Sequence, residues 1–180
     1  MYDIFEAAAR NDLVSVKKFV EVLGVNISSE NAAGQTAAHI AANYGHSEIV
    51  KYLLRKDPSL VKKKDIRRQT ILHPAVQKCS LDLVKYLVNE CNADLYDATI
   101  FRDGGSALHV AAASGKLDIF QYFVQEKFMD PNLRDSEEKS AAFIAADYHH
   151  LPILQFLVEK TKANMTMLDD EKSNILYMGI

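Results

Sequence analysis

Tryptophan is absent from this chain of 180 residues, which also holds only two cysteines, four prolines and seven glycines. The missing tryptophan excludes nothing by itself. Two thiols, Cys79 and Cys91, are too few for a disulfide framework and lack the spacing of a zinc site. They fit a reduced, cytoplasmic setting. Scarce glycine and proline, beside 48% hydrophobic and 25% charged residues, exclude a disordered or collagen-like chain. No run approaches the roughly 18 consecutive apolar residues of a membrane helix. The first ten residues carry Asp3 and Glu6 and no long apolar stretch, so they do not form a signal or transit peptide. Net charge is −3, which does not draw the whole molecule to nucleic acid or to an anionic membrane. One ordered intracellular domain is expected.

What the chain does have is a period. Thr36, Thr70, Ser106 and Ser140 open four similar segments, Thr-Ala-Ala-His-Ile-Ala-Ala in the first and Ser-Ala-Leu-His-Val-Ala-Ala in the third. The steps between these hydroxyls are 34, 36 and 34 residues, and a further 34 reaches Asn174. A second apolar block follows each one, as in Ile49-Val50-Lys51-Tyr52-Leu53-Leu54 and Leu83-Val84-Lys85-Tyr86-Leu87-Val88. A single polar break in such a block suits a helix covered on both sides rather than a half-exposed strand. Each unit is therefore expected to run helix, tight turn, helix, polar return loop.

Local signals fall in the same register. The four hydroxyls precede the first helices, where a side-chain oxygen can accept from free backbone N–H groups. Asn11, Gly45, Cys79, Gly115 and His149 occupy the inter-helix turn, a position for left-handed backbone. Glu48, Asp82 and Asp118 sit in the first turn of the second helices, near the positive end of the dipole. Pro152 takes that place in the last full unit. Pro74, four residues after Thr70, predicts a tightened or delayed helix start.

Residues 34–54, GQTAAHIAANYGHSEIVKYLL, resemble the ankyrin repeat signature, with Ala in place of its Pro and Leu. The resemblance covers the whole chain and implies an all-α solenoid of stacked helix-turn-helix units with short β-hairpin loops. Residues 1–180 are expected to form one such domain. A capping unit at 1–30 precedes repeats at 31–64, 65–100, 101–134 and 135–168, and a further repeat starts at 169–180 and is cut short by Ile180. Ile180 is thus expected to be a boundary within a longer protein. Residues 137–150 depart most from the pattern, with Phe143 where the signature has His.

No catalytic apparatus is visible. There is no Gly-x-Ser-x-Gly, no phosphate-cradling glycine loop and no His-Glu-x-x-His. By the resemblance, Thr36, His39, Thr70, His73, Ser106, His109 and Ser140 are structural, the imidazoles tying the turns together. His46 and His150 are also expected to be structural. Asp147, His149 and His150 form a local cluster of metal-binding residue types, but adjacent histidines point apart and no distant ligand is identifiable. No metal or cofactor is expected, nor an enzyme. Cys79 stands where an exposed inter-helix glycine is usual, beside Lys78.

Charge is segregated. Arg55, Lys56, Lys62, Lys63, Lys64, Arg67 and Arg68 against Asp57 and Asp65 give +5 over 14 residues, while residues 69–180 carry 10 basic and 16 acidic side chains. The stretch reads as a solvated return loop, or as a basic tip that meets an acidic partner, a phosphorylated peptide or a phosphoinositide. Nucleic acid is disfavoured, because one basic loop without interleaved aromatics is a small footprint.

The resemblance places a partner protein or peptide in the concave groove, on the loop tips and the exposed ends of the first helices. Carried over by register, the tips are Ala33 and Gln35, Ile66, Arg67 and Gln69, Arg102 and Asp103, and Glu137 and Lys139. The helix ends are Asn43 and Tyr44, Gln77 and Lys78, Ala113 and Ser114, and Asp147 and Tyr148. Tyr44 and Tyr148 are the anchor candidates, since a half-exposed tyrosine combines area with a hydroxyl. The expected function is a monomeric protein-interaction module or scaffold. The alternative is the recognition arm of a larger enzyme, or of a bacterial effector acting in a host cytosol.

Overall fold

A computed structural model of the chain describes residues 2–97, 105–161 and 163. The chain forms two compact units, Met1–Asp94 and Leu95–Ile180. The first contains three helix pairs: α1 (Ile4–Ala9) with α2 (Leu13–Glu21), α3 (Ala37–Asn43) with α4 (Ser47–Lys56), and α5 (Leu72–Lys78) with α6 (Leu81–Asn89). The short first helices stack, α1 on α3 and α3 on α5, and α2 packs on α4. Small side chains make that stacking close: Ala7, Ala8, Ala38, Ala41 and Ala42 are fully buried. The longer second helices supply the bulk, with Ile49, Leu53, Leu83 and Leu87 fully buried. Each such side chain contributes about 1.5–3 kcal/mol on leaving water.

The second unit repeats the plan. Helix α7 (Ala107–Ala113) packs on α9 (Ala141–Asp147), and α8 (Leu117–Gln121) packs on α10 (Leu151–Lys160). The Phe120 and Phe156 rings meet edge to face across the second helices, with centroids 6.1 Å apart. Helix α8 continues as a π turn over Tyr122–Glu126, and Phe128 then turns with φ of +55°. The expected start of another repeat at 169–180 lies outside the described residues.

Most local expectations hold. Asn11, Gly45, Gly115 and His149 all adopt left-handed backbone between paired helices. Gly115 is required twice over. Its φ is +65°, and a Cβ there would lie 2.6 Å from the His150 ring. Cys79 corrects the pattern: its φ is −102°, and the side chain is buried, with Sγ 3.7 Å from the Ala42 carbonyl. The cause lies upstream. Pro74 has no N–H for the Thr70 carbonyl, so His73 N–H donates to it instead, three residues on, and α5 starts at Leu72. The helix is displaced by one residue, runs through Lys78, and Cys79 ends it in extended rather than left-handed backbone.

The return loops close without forming strands among the described residues; Arg134 and Ser140 make one isolated antiparallel bridge. Their geometry is set by one side chain each. Asn31 accepts from the N–H groups of Ala33 and Gln35, Asp65 from those of Arg67 and Gln69, and Asp135 from those of Glu137 and Lys139. The fourth residue of each loop, Gly34, Arg68 or Glu138, is left-handed.

Candidate functional site

The buried hydroxyl–imidazole pairs have the residue types of a nucleophile and its base. Ser106 Oγ lies 3.0 Å from His109 Nδ1, and Thr36 Oγ1 lies 2.9 Å from His39 Nδ1. Their second contacts settle what they do. The Thr36 N–H donates to His39 Nδ1, which leaves the ring proton on Nε2, where it donates to the Lys63 carbonyl at 3.2 Å. His109 Nε2 reaches the Leu133 carbonyl at 3.0 Å in the same way. Each ring thus bridges the start of a first helix to the chain leaving the second. Burial holds both imidazoles below their ordinary pKa of 6.5, and they are neutral. In the displaced repeat His73 still accepts from the Thr70 N–H, at 3.1 Å. Phe143 cannot accept, and there the Phe143 N–H donates to Ser140 Oγ.

A second pair of histidines works at the other end. His46 Nε2 meets the Ala9 carbonyl at 2.9 Å and His150 Nε2 meets the Ala113 carbonyl at 3.0 Å, satisfying the last turns of α1 and α7. Tyr44 stacks on His46 with ring planes 15° apart, and Tyr148 stacks on His150 at 8°. The sequence gives no direct sign of this Tyr-x-His coupling except the shared spacing. Both tyrosines stay open to solvent, Tyr44 at 62% and Tyr148 at 43% exposure.

The predicted partner positions separate from the core as their register requires. In the first unit Tyr44, Ile66, Arg67, Gln77 and Lys78 are exposed, and Ala33, Gln35, Asn43 and Gln69 are half-buried. The adjacent tips touch, Ile66 N–H donating to the Ala33 carbonyl, and Gln35 Nε2 reaches Asp65 Oδ2 at 3.4 Å. In the second unit Glu137, Asp147 and Tyr148 are exposed, and Lys139, Ala113 and Ser114 are half-buried. Lys139 pairs with Glu137 at 2.8 Å. Arg102 and Asp103 lie outside the described residues.

The basic stretch is not a simple loop. Arg55 and Lys56 finish α4, and Pro58–Lys62 forms a 3-10 turn that buries Leu60 and Val61 and is capped by Asp57. Lys56 pairs with Glu21 at 3.0 Å and Lys63 with Glu30 at 2.9 Å. Lys62, Lys64, Arg67 and Arg68 are exposed. Sequence spacing could not show that two of the seven cations are matched by acids about 30 residues earlier.

Among the described residues no three His, Cys, Asp or Glu side chains are grouped to hold a metal, and no helix is long and apolar enough to cross a membrane. The family model for ankyrin repeats (three copies) matches residues 4–99 and 80–169. The chain is 31% identical over 168 residues to alpha-latrocrustotoxin-Lt1a of Latrodectus tredecimguttatus, covering 86% of this chain and 12% of that protein. It is 33% identical over 126 residues to alpha-latroinsectotoxin-Lt1a of the same species, covering 69% and 8%. It is 29% identical over 145 residues to mouse (Mus musculus) synphilin-1, covering 78% and 15%. It therefore spans less than a sixth of the length of each of these three relatives. Ankyrin repeats are in general protein–protein interaction modules, and with its register, its buried hydroxyl–imidazole ties and this match the chain belongs to the ankyrin-repeat family.

Proposed function

We propose that the chain is a non-enzymatic binding module that holds a partner protein along the loop tips and first-helix ends of its repeats. One observation carries the reading. The residues that repeat (Thr36, His39, Ser106, His109 and the alanines) are buried, whereas most of the register-matched positions that vary are exposed. A rigid frame with a variable surface is what selective recognition requires. Tyr44 and Tyr148 are the anchors, because stacking on a histidine fixes each ring before binding and lowers the entropy lost on contact.

The hydroxyl–imidazole pairs are unsuited to catalysis: both members are buried, and in the first and third repeats Nε2 is committed to a carbonyl. A second reading is a recognition arm within a larger protein, favoured by relatives of which this chain matches only a small part. The test is an affinity pull-down with mass spectrometry, comparing wild type with a Tyr44→Ala/Arg67→Ala/Gln77→Ala variant. Partners that fall away from the variant support this face. Partners retained equally by both proteins place binding elsewhere.

A further inference from the structure

We infer that the face of the first unit selects an acidic peptide segment carrying a bulky apolar side chain; this rests on the binding face proposed above. The unit has 13 basic and 11 acidic residues, and their distribution matters more than the balance. The acids are largely drawn away from the tip edge. Glu21 takes Lys56 and the Tyr52 hydroxyl, Glu30 takes Lys63, and Glu48 takes Lys51. Asp3 and Asp12 cap α1 and α2, and Asp57 caps the 3-10 turn. Asp65, the acid nearest the tip, is buried inside its own loop. The exposed charges left along the tip and the end of α5 are Arg67, Arg68 and Lys78, all of one sign.

Apolar area lies on the same edge. Ile66 is 65% exposed at the tip, and Tyr44 stands at the end of α3. The two helix ends adjoin, since a Cβ on Gly45 would lie 3.1 Å from the Lys78 carbonyl. Cations flanking a fixed tyrosine and an isoleucine complement carboxylates flanking an aromatic or aliphatic side chain. The backbone cannot recruit the partner as an added strand, because the tip N–H groups of Ala33, Gln35, Arg67 and Gln69 are taken by Asn31 and Asp65, and that of Ile66 by Ala33. Side chains alone must do the reading. Three cations around exposed aliphatic surface are also a poor match for nucleic acid, which rewards extended arrays of phosphate contacts.

The probe is a short labelled peptide of glutamates around one Phe-Leu pair, followed by fluorescence polarisation with the whole chain. Controls are the same peptide with glutamine for glutamate, the same with Ala-Ala for Phe-Leu, and a labelled single-stranded oligonucleotide. The expected result is saturable binding, weakened about tenfold or more by Arg68→Glu/Lys78→Glu and by Tyr44→Ala. Lys62→Glu, on the 3-10 turn away from this edge, is expected to leave affinity within about twofold. No saturable binding, an equal loss from Lys62→Glu, or tighter binding of the glutamine peptide or the oligonucleotide overturns the inference. If pulled-down partners depend on Tyr44 but not on Arg68 and Lys78, this inference fails and the binding face stands. If they depend on none of the three, both fail.

Discussion

Mild acid should loosen this fold through its signature histidines, by an amount the structure sets. His39 and His109 are buried and neutral, with folded pKa values held below 6.5 by loss of water. The unfolded chain binds their protons first, so their contribution is complete above about pH 6.5 and is lost as pH falls from there toward the folded values. Each imidazole that stays neutral when folded costs about 1.4 kcal/mol between roughly pH 7.5 and pH 5.5, an upper bound reached if its folded pKa lies well below 5.5. Two give about 2.7 kcal/mol, or roughly 5–10 °C of melting temperature for a chain of this size. Asp135 acts with the opposite sign: burial raises its carboxyl above 3.8, so protonation relieves it as pH falls through its folded pKa toward 3.8. The assay is urea unfolding at both pH values for wild type, His39→Gln and His109→Gln. Each variant should lose up to about 1.4 kcal/mol of the pH-dependent part. A wild-type midpoint that does not move, or variants that keep the full wild-type slope, would refute the buried-neutral assignment.

Other perturbations follow from the same geometry. Gly115→Ala forces a side chain into left-handed backbone and against the His150 ring, and should cost at least about 1–2 kcal/mol by chemical denaturation. Phe128, 84% exposed with φ of +55°, occupies the register position of Asn92, which turns at +54°; Phe128→Asn should therefore stabilise the second unit by about 0.5–1 kcal/mol, and a loss would show that the ring is packed. Asp65→Asn puts an amide N–H opposite the Gln35 amide and should destabilise by about 1 kcal/mol in thermal melts. Asp135→Asn keeps the acceptor for Glu137 and Lys139, as Asn31 does in its own loop, while removing a buried carboxylate whose Oδ2 has no partner. It should be neutral or stabilising by up to about 1 kcal/mol near pH 7, and a clear loss would mean that Oδ2 is satisfied in solution.

What could be read from sequence and what could not divide along a physical line. Helix order, the left-handed turns at Gly45 and Gly115 and the roles of Thr36 and His39 depend on contacts a fixed number of residues apart, and a period displays those directly. Pro74 is the instructive intermediate. Its missing N–H predicted a late helix, but the helix then kept its length, so the displacement carried through to its far end and buried Cys79 where a left-handed, exposed residue was expected. The basic stretch failed for a different reason. Charge counted along 14 residues cannot see Glu21 and Glu30 arriving from earlier turns, nor the 3-10 turn that Leu60 and Val61 fold inward.

Sequence density placed the positive feature at Lys62-Lys63-Lys64, whereas pairing in space moves its weight to Arg67, Arg68 and Lys78. The shift changes which mutation is informative. A charge reversal at Lys62 probes a turn that runs behind the tip, while one at Arg68 or Lys78 probes the edge shared with Tyr44 and Ile66. Binding that followed the local density of lysines rather than this edge would point to a diffuse electrostatic partner. Binding that followed the edge requires the acidic and apolar groups to be presented together, on one segment, at the spacing of adjacent repeats.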